Sequence, residues 1–311
     1  MSFGVLFPGQ GSQYVGMGSD LFEVSPEILG DRADDILGWS LRDLCLDGPE
    51  EKLTRTEFAQ PALFAISYAL WEIFNTRVGK SPAGAAGHSL GEYTALCAAD
   101  AIGFDTALGL VSKRGHAMQV AADSTSSGMA ALLGGDLATV ETVVAANVGQ
   151  GGTLQIANVN APGQVVVAGA RRDIEWLGER GRDFGVRRVV PLKVAGAFHS
   201  SFMEPAASAV EEALSEVSID APRFPVWSNT TAQPHVGGQI PAVLARQVMS
   251  PVLFSQSLLD MSRSGMGTFV HIGPGDVTAG MARRSVDDAE VVVVSSISEV
   301  GDAVSVLGTM A

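Results

Sequence analysis

"AAGHSLGEY", residues 85–93, lies between a Pro- and Gly-containing stretch and a run of small helix formers. It contains Gly87-His88-Ser89-Leu90-Gly91, a G-x-S-x-G pentad. A serine set between two glycines where a strand turns into a helix has two readings. In the first, the glycines permit a sharp, strained turn that exposes the hydroxyl as a nucleophile. The helix starting near Leu90 then aims its free N–H groups and positive dipole end at an oxyanion formed there. In the second, the segment is a Gly-rich βα loop with a solvated serine. The pentad alone does not separate them.

The flanking pattern predicts an α/β chain. "FGVLF" (3–7) is an apolar run stopped by Pro8-Gly9, a buried strand followed by a tight loop. Residues 60–77 predict a long apolar helix opening at Gln60-Pro61. "AGAAG" (83–87) is composed of poor strand formers and is assigned as a strand because helical sequence flanks it. Helices are expected over 90–99 and 105–122. From 127 to 194 the order becomes strand "MAALLG", helix 136–147, strands "LQIANV" and "QVVVAG", helix 171–182, strand "VRRVVPL". That β-α-β-β-α-β order is that of a ferredoxin-like unit. Helices over 203–215, 239–249 and 254–263 then alternate with strands over 224–227, 268–272 and 291–294. The expectation is a large α/β domain with a parallel sheet core (1–125 and 196–311), interrupted by a small ferredoxin-like domain (126–195).

Composition excludes several classes. The chain has 311 residues, 46% hydrophobic, with 36 glycines and few aromatics, so its core is built from Ala, Val and Leu. A net charge of −14 opposes nucleic-acid binding. Cys45 and Cys97 fit neither a metal-ligand spacing nor a disulfide framework, which predicts a reducing cytoplasm and no metal. "MSFGVLFPGQ" lacks the basic start of a signal peptide, and no apolar run is long enough to span a bilayer.

A serine hydroxyl needs a base. Of five histidines, His88 adjoins Ser89 and is expected to point away and brace the turn. His116 falls on the polar side of its helix. His235 lies in "TAQPHVGG", read as an exposed loop. His271 ends a strand before "GPG" and is a candidate to line a pocket. His199, in "AGAFHSSFMEP", sits where the small domain rejoins the large one, a place that favours pockets. Arg114 carries the strongest charge signal. Ala107, Leu110, Val111, Ala117, Met118 and Ala121 form one helical stripe, and Arg114 lies in its middle, with Lys113, His116 and Gln119 off it. An inward guanidinium needs an anion. That anion is either a buried Asp or Glu of the chain or the carboxylate of a substrate held bidentately. "FPGQGSQYVG" (7–16) lacks the lysine of a P-loop and the spacing of a dinucleotide fingerprint, so nucleotide binding is rejected there. Its glycines allow Gln10 to present a backbone N–H to the pocket of Ser89.

Taken together, "FPGQGSQ" (7–13), "TEFAQPALF" (56–64), "GHSLGEY" (87–93), "KRGHAM" (113–118), "NAPGQVVVAG" (160–169), "GAFHS" (196–200), "RQVMSPV" (246–252) and "IGPG" (272–275) resemble, in order and over essentially the whole length, the malonyl-CoA:acyl carrier protein transacylases of fatty acid and polyketide synthesis. The resemblance implies a hydrolase-like α/β domain with an inserted ferredoxin-like domain. It implies Ser89 as acyl nucleophile, His199 as its base and Arg114 as the clamp for the malonyl carboxylate. The backbone N–H groups of Gln10 and Leu90 would form the oxyanion hole, and the Gln247 carbonyl would orient His199 in place of a triad aspartate. Phe198 is the type seen in malonyl-selective members. His271 stands where many relatives have an acidic residue. The substrates implied are malonyl-CoA, a coenzyme A thioester, and a phosphopantetheinylated acyl carrier protein, with no cofactor, for a cytoplasmic monomer. Two alternatives share these motifs: a free-standing polyketide acyltransferase and an acyl-thioester hydrolase.

Carrier proteins of this kind are acidic, as this chain is. Residues 171–193, however, hold seven basic residues against four acidic ones. A docking surface in the small domain explains that local excess; an ordinary solvated face explains it equally well.

Overall fold

A computed structural model describes residues 2–308. The chain opens with β1 (Ser2–Phe7), buried from Phe3 onward. Four short helices follow, α1 (Pro26–Leu29), α2 (Asp31–Leu37), α3 (Leu41–Asp47) and α4 (Glu50–Leu53), each too brief to carry a periodic signal. Helix α5 (Thr56–Val78) starts four residues before the expected point, with Pro61 inside it. The sequence hides that start because part of its capping is tertiary: the Thr56 N–H donates to Gln119 Oε1 of a distant helix at 3.0 Å.

Next come β2 (Gly84–Gly87), α6 (Gly91–Ala98) and α7 (Phe104–Asp123). The middle of the chain forms β3 (Ser127–Leu133), α8 (Leu137–Val148), β4 (Gln155–Ala161), β5 (Gln164–Ala170), α9 (Arg171–Arg180) and β6 (Arg188–Pro191). It continues through α10 (Glu204–Ser215), β7 (Val226–Trp227), α11 (Ile240–Gln247) and α12 (Phe254–Arg263). The last elements are β8 (Met266–Ile272), α13 (Val277–Ser285), β9 (Glu290–Val294) and α14 (Ile297–Gly308).

Two sheets result. The first is five-stranded, in the order β7-β2-β1-β8-β9, and every pairing is parallel. The second is four-stranded and antiparallel, in the order β4-β5-β3-β6, as expected of the ferredoxin-like pattern. Its two faces alternate with the strand period. Ala130, Leu132, Val165 and Val167 pack on α8 and α9. Met129, Ala131, Val166 and Ala168 face the main core.

Small residues in β2 answer a packing need that their propensity does not reveal. A Cβ on Gly84 would come within 2.4 Å of the Trp227 ring, and one on Gly87 within 1.8 Å of the Gly91 carbonyl. A Cβ on Gly91 would meet the Phe7 and Pro8 carbonyls at 2.6 and 2.7 Å. The β2–α6 turn therefore closes only on glycine. Phe7 pairs with Gly87, so β1 and β2 end level and their following loops lie side by side.

No helix among the described residues is long and apolar enough to cross a membrane. Two glycine substitutions separate packing from propensity. Gly91→Ala pushes a methyl into fixed backbone and should destabilise by about 1–3 kcal/mol or more. Gly109→Ala meets nothing within 4 Å on exchanging a helical glycine, and should stabilise by about 0.5–1 kcal/mol. Thermal melts of both variants check this; equal shifts would contradict it.

Candidate active site

The serine of the pentad occupies a strained turn. Ser89 has φ of 53°, in the left-handed region that non-glycine residues avoid. Its N–H donates to Asn229 Oδ1 at 2.7 Å, and Asn229 Nδ2 donates to the Gly87 carbonyl at 2.7 Å. One asparagine thus clips both sides of the turn. His88 N–H donates to the Phe7 carbonyl at 3.0 Å, which ties the turn to the end of β1.

His199 approaches from the opposite side and is also held at positive φ, 56°. Its Nε2 lies 2.8 Å from Ser89 Oγ, and its Nδ1 lies 2.9 Å from the Gln247 carbonyl. A carbonyl only accepts, so Nδ1 carries the proton and Nε2 turns its lone pair to the serine. Burial, with the neighbouring Arg114 charge second, pulls the His199 pKa down to about 3. The imidazole is therefore neutral at neutral pH, the state a general base requires.

Arg114 is fully buried, as the α7 stripe predicts. Nη1 donates to Gln60 Oε1 at 2.5 Å; Nη2 donates to Ser89 Oγ at 3.0 Å and to Gln247 Oε1 at 2.9 Å. The guanidinium lies over the Tyr93 ring, 5.6 Å from its centroid. Among the described residues no carboxylate pairs with it and its Nε has no partner. The alternative of a buried Asp or Glu in ion-pair contact is thus not what the fold contains.

Ser89 and His199 border a cavity of about 250 Å³ between the two sheets, lined also by Gln10, Gln60, Phe198, Met129 and Val166. Arg114 is not part of its lining and lies behind Ser89 and Gln60, to which it is hydrogen-bonded. A larger groove of about 520 Å³ around Tyr68 and Phe104 holds none of the candidate residues. Gln10 and Leu90 flank Ser89 on the two level loops. Neither of their N–H groups has an acceptor among the described residues, as donors awaiting an oxyanion would be. No cluster of potential metal ligands occurs among the described residues.

The remaining histidines divide as follows. His88 Nε2 bonds Asn160 Oδ1 at 2.8 Å, linking the turn to β4, and the ring takes no part in the Ser89–His199 pair. His116 is exposed, 3.5 Å from Glu57. Two expectations need correction. The His235 side chain is buried, not in an exposed loop, and its Nε2 meets Glu92 Oε1 at 2.6 Å. His271 does not line the cavity. It sits under the β8–α13 turn, with Nδ1 2.5 Å from Thr278 Oγ1 and Nε2 3.1 Å from the Gly273 carbonyl; burial lowers its pKa to about 4. Gln119, placed off the α7 stripe, is also buried because it caps α5.

Sequence reasoning missed Gln60, Glu92 and Asn229. Glu92 is a carboxylate inside an otherwise apolar helix, a signal of the same kind that exposed Arg114. Gln60 and Asn229 carry no such signal.

Residues 5–310 match the acyl transferase domain family. The chain is 41% identical over 282 residues to the malonyl CoA-acyl carrier protein transacylase of Bacillus subtilis (strain 168), covering 90% of this chain and 89% of that one. It is also 41% identical to the polyketide biosynthesis malonyl CoA-acyl carrier protein transacylase PksC of the same organism, over 92% of this chain and 97% of that one. A solved complex of a type II polyketide synthase acyl carrier protein with its malonyl-transacylase superposes with a TM-score of 0.93 at 35% identity, covering 98% of this chain and 99% of that chain. With its elbow, its buried guanidinium and its two sheets, the chain is an acyltransferase and belongs to the malonyl-CoA:acyl carrier protein transacylase family.

Proposed function

We propose that this enzyme moves malonyl from coenzyme A to the phosphopantetheine thiol of an acyl carrier protein in fatty acid biosynthesis, in two steps through an acyl-serine. The observation that carries this reading is the Arg114 guanidinium, buried without a carboxylate partner and in contact with the Ser89 hydroxyl. A dicarboxylic thioester satisfies both ends of that arrangement. Its free carboxylate takes the guanidinium, replacing the serine hydroxyl on Nη2. Its thioester carbonyl lies against Ser89.

In the first step Ser89 Oγ bonds to the carbonyl carbon while His199 Nε2 takes the hydroxyl proton. The oxyanion accepts from the N–H groups of Gln10 and Leu90; one such donor is typically worth about 2.7–4 kcal/mol. The C–S bond breaks and coenzyme A leaves with the proton from His199. In the second step the carrier thiol gives its proton to His199 and attacks the acyl-serine, and the Ser89 hydroxyl is restored. Gln247, through its carbonyl, holds the imidazole in the tautomer both steps use. Phe198, on the cavity wall, opposes a branching methyl, a discrimination of about 1–3 kcal/mol.

On this reading residues 1–125 and 196–311 are the hydrolase-like catalytic domain and 126–195 the ferredoxin-like small domain. The exposed side chains of Arg187 and Arg188 on that small domain carry no ion pair among the described residues and suit an acidic carrier protein. Buried, unpaired Cys45 and Cys97 suit a cytoplasmic setting. A polyketide acyltransferase remains the second reading, on the equal identity to the polyketide relative. An editing hydrolase has no use for a carboxylate clamp.

Mixing the protein with malonyl-CoA should add one malonyl mass, absent in Ser89→Ala. Arg114→Ala should lose about 10–150-fold in malonyl loading relative to acetyl, the worth of a charge-assisted hydrogen bond. A variant that stays malonyl-selective in competition refutes the clamp. Because the His199 pKa is lowered to about 3, the base stays neutral until well below the ordinary imidazole range. Loading in the free enzyme, followed as kcat/KM, should hold down to about pH 5, in contrast to a solvent-exposed imidazole with its pKa near 6.5; a half-drop near pH 6.5 would contradict the burial argument. Reversing Arg187 and Arg188 to Glu should raise the KM for the carrier protein and leave coenzyme A loading alone. Unchanged KM values would remove the docking assignment.

A further inference from the structure

Glu92 belongs to the first turn of α6, immediately beyond the elbow, and is fully buried. A carboxylate at that depth must be compensated. Its Oε1 meets His235 Nε2 at 2.6 Å. Its Oε2 accepts from the Asn229 N–H at 3.0 Å and from Gln247 Nε2 at 2.7 Å. None of these groups touches the cavity where the acyl chain would lie.

The last contact has a consequence for the amide of Gln247. Its Nε2 is surrounded by acceptors: Glu92 Oε2 and, at 2.9 Å, the Ser89 carbonyl. Its Oε1 faces a donor, Arg114 Nη2, at 2.9 Å. A carboxylate only accepts and a guanidinium only donates, so just one of the two amide orientations is allowed. Glu92, together with the Ser89 carbonyl, therefore selects the face that Gln247 shows to Arg114. Flipped, the amide would present N–H groups to a cation and displace it. His235 fixes the carboxylate in turn, through a short contact at its other oxygen.

We propose that Glu92, held by His235, is a positioning residue for acyl selectivity: it locks the Gln247 amide so that Arg114 stays where a substrate carboxylate can reach it. This rests on the reading of Arg114 as the carboxylate clamp. Glu92→Gln keeps the volume and removes the obligatory acceptor. The Gln247 amide then keeps the Ser89 carbonyl as the remaining obligatory acceptor at Nε2, so its orientation is held less firmly and Arg114 loses its seat in part of the molecules.

The test is a double-mutant cycle on E92Q and R114A, read as the ratio of malonyl to acetyl kcat/KM in competition, with KM and kcat for malonyl-CoA measured separately. E92Q alone should lower the ratio about tenfold or more, with the larger part of the malonyl loss in KM. Added to R114A, it should leave the ratio within about twofold, since the group it positions is gone. His235→Gln, which keeps a donor to Glu92, should lower the ratio less than E92Q; it carries the same cycle if E92Q does not fold. A ratio unchanged by E92Q while R114A lowers it overturns the positioning role alone. So does an equal loss in both backgrounds, which is what general loosening of the fold would give. A ratio unchanged by R114A overturns the clamp and the positioning role together.

Discussion

A guanidinium with no exposed surface, hydrogen-bonded directly to neutral acceptors, is the constraint around which the site is assembled. Burying an unpaired charge costs several kcal/mol even after relaxation. Three separate segments share that cost. Gln60 comes from α5, Gln247 from the end of α11 and Ser89 from the elbow, and each points an oxygen at Arg114. Tyr93 supplies a ring face. The groups in direct contact with the cation are neutral, and the buried Glu92 carboxylate acts on it from behind the Gln247 amide; on the proposed reading an anionic substrate completes the arrangement.

Gln247 joins this electrostatic problem to the catalytic one. Its side chain receives Arg114 while its main-chain carbonyl receives His199 Nδ1. A carbonyl in that place orients the imidazole without placing a second anion beside it. Two effects, burial and the nearby guanidinium, favour neutral His199, and no carboxylate contact opposes them. His199 is thus kept free of its proton first by burial and then by the same cation that, on the proposed reading, would recognise the substrate.

The two sheets divide the work. Parallel pairing brings the ends of β1 and β2 level, which sets the Gln10 loop beside the elbow. The antiparallel sheet gives one face to its own helices and the other to the cavity, so Met129, Ala131 and Val166 roof the space above Ser89. Asn160 of β4 reaches His88 and fastens the roof to the elbow. A site at the meeting of two sheets has walls from both.

Local pattern was enough for much of this. Short apolar runs bounded by turn residues and helical stripes gave most strands and long helices, the G-x-S-x-G spacing together with the family's other motifs gave the elbow, and one charged residue in an apolar stripe gave Arg114. Each of these is a short-range signal, repeated at the period of a helix or strand or contained in a few residues. What failed did so over distance. The start of α5 depends on Gln119, 63 residues away in sequence. His235 reads as a surface residue until Glu92, 143 residues before it, is seen opposite. The sequence by itself determined the chemistry available: a hydroxyl, an imidazole and an inward cation in a two-sheet α/β frame. Only the tertiary structure decided which amide, carbonyl and carboxylate hold them, because hydrogen bonds between distant side chains depend on ångström-scale geometry that no local period records.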